Sequence, residues 1–129
     1  MNNNVKKVLF ICVENACRSQ LAEAISNYFF PDQLKAFSAG SNPAKEVNPR
    51  AIRSLNSMGI VYKGKTKSIS QVEEKKYDYI VGMGCGDACP IIPGAQILEW
   101  NIPDPKLFES KEFNKVRDMI KEKIESELL

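Results

Sequence analysis

The stretch Lys7 to Ser19, KVLFICVENACRS, decides the fold. Its first half, KVLFIC, is an almost unbroken apolar run, the pattern of a strand buried on both faces of a parallel sheet. After a loop, Leu21, Ile25, Tyr28 and Phe29 recur at the spacing of a helical apolar stripe, which Pro31 ends. The first unit is therefore strand, loop, helix. Cys12 closes the strand and Arg18 stands where the first helical turn begins. The residues between them, Val13, Glu14, Asn15, Ala16 and Cys17, can curl round a tetrahedral anion. Their N–H groups and the positive end of the helix would then face the anion, and Arg18 would offer a guanidinium fork. The same field favours a thiolate at Cys12, with the Ser19 hydroxyl as a further donor. Asn15 is expected to be structural, bridging the loop backbone and tolerating an unusual φ. Taken alone, a cysteine and an arginine at this spacing also fit a small buried thiol and a surface side chain. The strand-to-helix junction and the following serine favour the anion loop.

Outward from this unit the alternation continues. Lys35 to Ala39 reads as a second strand closed by Gly40, and Asn48-Pro49 supplies a cap and first turn for a second helix. Ile52, Leu55 and Met58 give that helix its apolar face, and Gly59 stops it. Ser70 and Glu73 fit a capping box before a third strand at Tyr77 to Val81, and Gln96 to Glu99 reads as a fourth. Phe113, Val116, Ile120, Ile124 and Leu128 line a last helix, with Ser110 as its cap. Alternating strands and helices imply the α/β class, a three-layer α/β/α domain over residues 1–129 with a four-stranded parallel sheet and right-handed crossovers. Ligands of such sheets bind at the carboxyl ends of the strands, where the loop after Cys12 lies.

Composition narrows the partners. The chain has 129 residues, a formal charge of +2 and no apolar run near the roughly 18 residues of a membrane span. The charge is too mild and too scattered to point to nucleic acid, and a small anion is the simpler partner. No secretory signal follows Met1, so a cytoplasmic protein is expected, and no partner chain is called for beyond a monomer. Histidine is absent, which removes every Cys/His or Ser/His catalytic pair. Four cysteines in a cytoplasmic chain point to redox chemistry or a metal. Two of them, Cys85 and Cys89, lie in MGCGDACP just beyond the third strand, near the same sheet edge as Cys12. Gly82, Gly84 and Gly86 make that segment permissive. Cys85 and Cys89 could be inert buried thiols, or all four cysteines could hold one zinc ion. Arg18 and a helix N-terminus favour an anion over a cation at this place.

The sequence resembles the low-molecular-weight tyrosine phosphatase superfamily and, within it, the thiol-dependent arsenate reductases. VLFICVENACRSQLAEA is similar to the nucleophile loop and first helix. AFSAG, VNPRAI and the Met58-Gly59-Ile60 turn resemble the second unit, and Asp104-Pro105 resembles the general-acid motif. The resemblance implies Cys12 as nucleophile, Arg18 as oxyanion clamp, Ser19 as thiolate stabiliser and Asp104 as proton donor. CGDACPIIP resembles the redox segment of the reductases, which implies a relay through Cys85 and Cys89 with thioredoxin or a similar dithiol protein as reductant. Gln20 after CRS and Lys106 after Asp104-Pro105 also fit the reductases. The implied reaction is reduction of arsenate, with no tightly bound cofactor. The rival is hydrolysis of phosphate monoesters through a cysteinyl-phosphate. The spacing of Cys85 and Cys89 is shorter than in the reductases whose redox segment is longest. Asn15, Glu23 and Ser38 match part of a monovalent-cation site found in some members, but Ser68 stands where a carboxylate is needed, and no ion is expected.

Overall fold

A computed structural model describes residues 5–72, 76–84 and 93–129. In chain order the elements are β1 (Lys6–Cys12), α1 (Arg18–Phe29), β2 (Leu34–Gly40), α2 (Pro49–Ser57), a 3-10 turn (Ile69–Gln71), β3 (Tyr79–Gly82), β4 (Gln96–Glu99) and α3 (Ser110–Glu127). The four strands form one sheet in the order β2-β1-β3-β4, and every pairing is parallel. The class is α/β/α with a four-stranded parallel sheet, as the alternation implies.

The apolar run in β1 has two destinations because successive side chains of a strand face opposite ways. Val8, Phe10 and Cys12 join the larger core with Leu21 and Ile25 of α1, Leu55 of α2, and Phe113, Val116, Ile120 and Ile124 of α3. Leu9 and Ile11 face the other side, against Ile80, Val72 and Tyr77. Each of the large side chains that α3 buries contributes about 1.5–3 kcal/mol, which makes packing rather than propensity the reason this charged helix stays docked. β1 is central and pairs on both sides, so its end, Cys12, is held at a fixed place. Among the described residues no helix is long and apolar enough to cross a membrane.

Four local readings of the sequence need correction. The capping box is formed by Ser68 and Gln71, whose side chain accepts from the Ser68 amide at 2.7 Å, and not by Ser70 with Glu73. Glu73 itself lies outside the described residues. Ser110 is the first helical residue of α3, preceded by Glu109, which makes no side-chain cap. β3 begins at Tyr79 rather than Tyr77, because the Asp78 carboxylate takes the Lys7 amide at 2.8 Å in place of a ladder bond. Tyr28 is 53% exposed and Phe29 38%. They stack edge to face on one another at 4.9 Å, while Ala22 and Ala24 complete the buried face of α1.

Candidate active site

Cys12 ends β1 and α1 starts at Arg18, so five residues make the connection. Their carbonyls are taken by groups outside the loop. Val13 O accepts from Asn42 N at 2.8 Å, Glu14 O from Ala44 N at 2.9 Å and Ala16 O from Asn48 N at 3.0 Å. Asn15 O accepts from Gln20 Nε2 at 3.0 Å. In a trans peptide the C=O and N–H point in opposite directions, so turning these carbonyls away turns the following N–H groups into the concavity. Cys17, the cap residue of α1, makes no side-chain cap, so the orphan donors of the first turn add to that edge. Gly40, at the end of β2, is what lets the loop sit so close. A Cβ there would stand 2.5 Å from Val13 O and 2.9 Å from Asn15 N.

Asn15 adopts φ 53°, the left-handed conformation expected of it, and is fully buried. Its Oδ1 accepts from the Lys67 amide at 2.8 Å, which fixes the orientation of the side-chain amide. Nδ2 therefore donates to Ser19 Oγ, at 2.8 Å. Ser19 Oγ lies 2.8 Å from Cys12 Sγ. A thiolate at Cys12 could only accept, and the Ser19 hydroxyl, which takes the Asn15 proton on one lone pair, would then give its own proton to the sulfur. Behind Asn15 stands Gln20, whose Nε2 also donates to Asn15 Oδ1 at 3.0 Å and to Lys65 O at 2.8 Å. The Tyr62 hydroxyl donates to Gln20 Oε1 and lies 3.2 Å from Glu23 Oε2. Glu23 in turn accepts from Ser38 Oγ at 2.7 Å and pairs with Lys67 Nζ at 3.7 Å. Burial and the Glu23 carboxylate raise the Tyr62 phenol well above its ordinary value, so it stays a donor.

A cavity of about 330 Å³ opens over the loop, lined by Cys12, Val13, Glu14, Ala16, Cys17, Arg18, Asn42 and Asp104. Arg18 NH1 donates to Ile102 O at 3.1 Å, and NH2 lies 3.8 Å from Asp104 Oδ2. Gly84 packs against the guanidinium, where a Cβ would approach NH1 to 2.7 Å. Asp104 is half exposed and accepts from the Lys106 amide at 3.1 Å. Cys17 is buried, and burial pushes its thiol up from 9.0 to about 11, against a smaller lowering by a hydrogen bond with Asn48. At neutral pH this favours its protonated form.

The sequence pattern of the family described as low molecular weight phosphotyrosine protein phosphatase matches residues 7–128. The chain belongs to that family. It is 38% identical to arsenate reductase 2 of Staphylococcus epidermidis over 126 residues, 94% of this chain and 95% of the relative. A solved arsenate reductase in the phosphate binding state superposes with a TM-score of 0.81 at 28% identity, covering 94% of this chain and 95% of that one. The thioredoxin-dependent arsenate reductase of Corynebacterium glutamicum superposes with a TM-score of 0.77 at 31% identity. That match takes in 98% of this chain, which spans about three fifths of the longer protein (61%).

The fold of this family brings Cys12, Arg18, Ser19 and Asp104 to one place. Cys85 and Cys89 lie outside the described residues. Gly84, the residue before them, stands against Arg18. Sequence reasoning missed Asn42 in the cavity wall, Tyr62 and Lys67 behind the loop, and the pairing of Lys106 with Glu14 at 2.9 Å. It noted Gln20 only as a point of resemblance. The signal that could have found its role is a long polar residue one turn into an otherwise buried helix face, which must have partners.

Proposed function

We propose that this protein reduces arsenate to arsenite with its own thiols and is reset by thioredoxin or a similar dithiol protein. The observation that carries the reading is the hydrogen-bonded Cys12 and Ser19 at the base of an anion-shaped loop, in a chain that matches an arsenate reductase nearly end to end. In this reading the N–H groups of Val13 to Cys17 and the Arg18 guanidinium hold three oxygens. Cys12 attacks arsenic in line, and Asp104 protonates the departing oxygen, which leaves as water. A Cys12 thio-arsenate adduct results. The Cys85 thiolate then attacks the Cys12 sulfur. A disulfide forms, the sulfur–arsenic bond breaks, and its electron pair stays on arsenic, which is thereby reduced from As(V) to As(III). Cys89 attacks Cys85, frees Cys12 and leaves a Cys85–Cys89 disulfide for the external dithiol. No bound cofactor is needed, and the protein works as a cytoplasmic monomer.

Hydrolysis of phosphate monoesters needs only Cys12, Arg18 and Asp104, and the family's own description favours it as the second reading. A thiol count separates the two. Reduced protein given arsenate without an external reductant should lose two thiols for each arsenite released, while p-nitrophenyl phosphate turns over slowly and consumes none. Rapid ester turnover with no thiol loss on arsenate would establish the phosphatase instead.

A further inference from the structure

We propose that the ion pair of Glu14 with Lys106 is a specificity bar at the mouth of the anion cavity, passing bare inorganic oxyanions and obstructing their esters. The proposal rests on the reading above in one respect, that Cys12 attacks from the base of the cavity. Cys12 is 3% exposed, whereas the side chains of Glu14, Asp104 and Lys106 are 37%, 51% and 52% exposed, so these three mark the outer end. In-line displacement sends the leaving oxygen away from the sulfur and hence toward that end, where Asp104 stands. A bare oxyanion carries only a hydrogen there. An ester carries its whole substituent, which must leave the cavity past the rim.

Lys106 stands against the two rim carboxylates and is held at three points. Its N–H donates to Asp104 Oδ1 at 3.1 Å, its carbonyl accepts from Arg50 NH1 at 3.1 Å, and its Nζ sits 2.9 and 3.2 Å from the two Glu14 oxygens. Glu14 and Asp104 both line the cavity, and Lys106 joins them. The arrangement also settles a charge problem, because a free Glu14 carboxylate beside an anion site would repel the ligand, and the ammonium offsets it. Both partners are exposed, so the bar is weak and sensitive to salt. It can select without sealing the site.

The test compares the parent with Lys106→Ala and Lys106→Arg. It measures kcat/KM for p-nitrophenyl phosphate and, by calorimetry, the association constant of inorganic phosphate, and takes their ratio. Both anions are measured at a pH where both are dianions, so the repulsion by the uncompensated Glu14 of Lys106→Ala falls on each and largely cancels in the ratio. The ratio should rise about fivefold in Lys106→Ala, the scale of opening one exposed pair, and stay near the parent's in Lys106→Arg. It should also rise with added salt in the parent and not in Lys106→Ala. An unchanged ratio in Lys106→Ala, or a salt-independent ratio in the parent, overturns the bar. So does loss of phosphate binding in a folded Lys106→Ala, which would make Lys106 part of the anion site itself. Neither measurement needs arsenate reduction, so a parent that fails to reduce arsenate would refute the proposed function while leaving this ratio readable.

Discussion

Glu23 and Glu14 stand on opposite sides of the anion loop's backbone, and they are treated in opposite ways. Glu23, behind the loop, is 18% exposed and meets Ser38, Tyr62 and Lys67. Glu14, in the loop itself, is 37% exposed, and its ion pair is with Lys106. The first belongs to a buried network that runs through Gln20 and Asn15 to Ser19 and Cys12, in which every member depends on the next. The second belongs to a rim that water and salt can reach. The two sides of the loop divide the labour. The inner wall sets the geometry for chemistry and is costly to disturb, while the rim tunes what enters at small energetic cost.

That comparison can be broken most forcefully at Arg18, the cation that lines the cavity. Arg18→Ala removes two charge-assisted hydrogen bonds to the anion, and phosphate affinity measured by calorimetry should fall by about two to three orders of magnitude. Unchanged affinity would place the anion elsewhere. A smaller effect is expected at Cys17, whose thiol is pushed up to about 11 by burial. The native state favours its protonated form. The stability this provides is fully present below pH 9 and is lost as pH rises toward 11. The stability difference between the parent and Cys17→Ala, from urea melts, should therefore shift by up to about 2–3 kcal/mol across that window. A difference that stays flat would mean the thiol is solvated and the inner wall is open to water. The rim ratio for Lys106→Ala, about fivefold, is the smallest of the three.

Much of the fold was legible because it is written in periodicity. The run at Lys7 to Cys12 and the α3 stripe from Phe113 to Leu128 each carry a local pattern that burial obeys, whereas the strand at Gln96 to Glu99 leaves Ile97 48% exposed. Where signals were short they misled. Ser68-Gln71 and Ser70-Glu73 both match a capping box within one small segment, and a 3-10 turn of three residues has no period to choose between them. The site was legible along the chain and illegible across it. Cys12, Arg18 and Ser19 share one loop, so strand and helix boundaries place them together. Tyr62 meets Gln20 at a separation of 42 residues, and Lys106 meets Glu14 at 92, contacts that only the parallel sheet and its crossovers create. A lysine after Asp104-Pro105 says nothing of its partner until the fold is known.

The proposed reduction stands or falls with the relay through three cysteines, and Cys89→Ser interrupts that relay at its last step. The variant keeps the anion loop and the first two thiols. Mixed with arsenate it should release one arsenite per enzyme and then stop, with a Cys12–Cys85 disulfide identified by peptide mapping. Steady turnover with thioredoxin should fall steeply, and any weak hydrolysis of p-nitrophenyl phosphate should persist. A folded variant that releases no arsenite would make Cys89 the thiol that attacks Cys12 and reverse the order of the two. Arsenate turnover with thioredoxin at the parent's rate would contradict the relay outright.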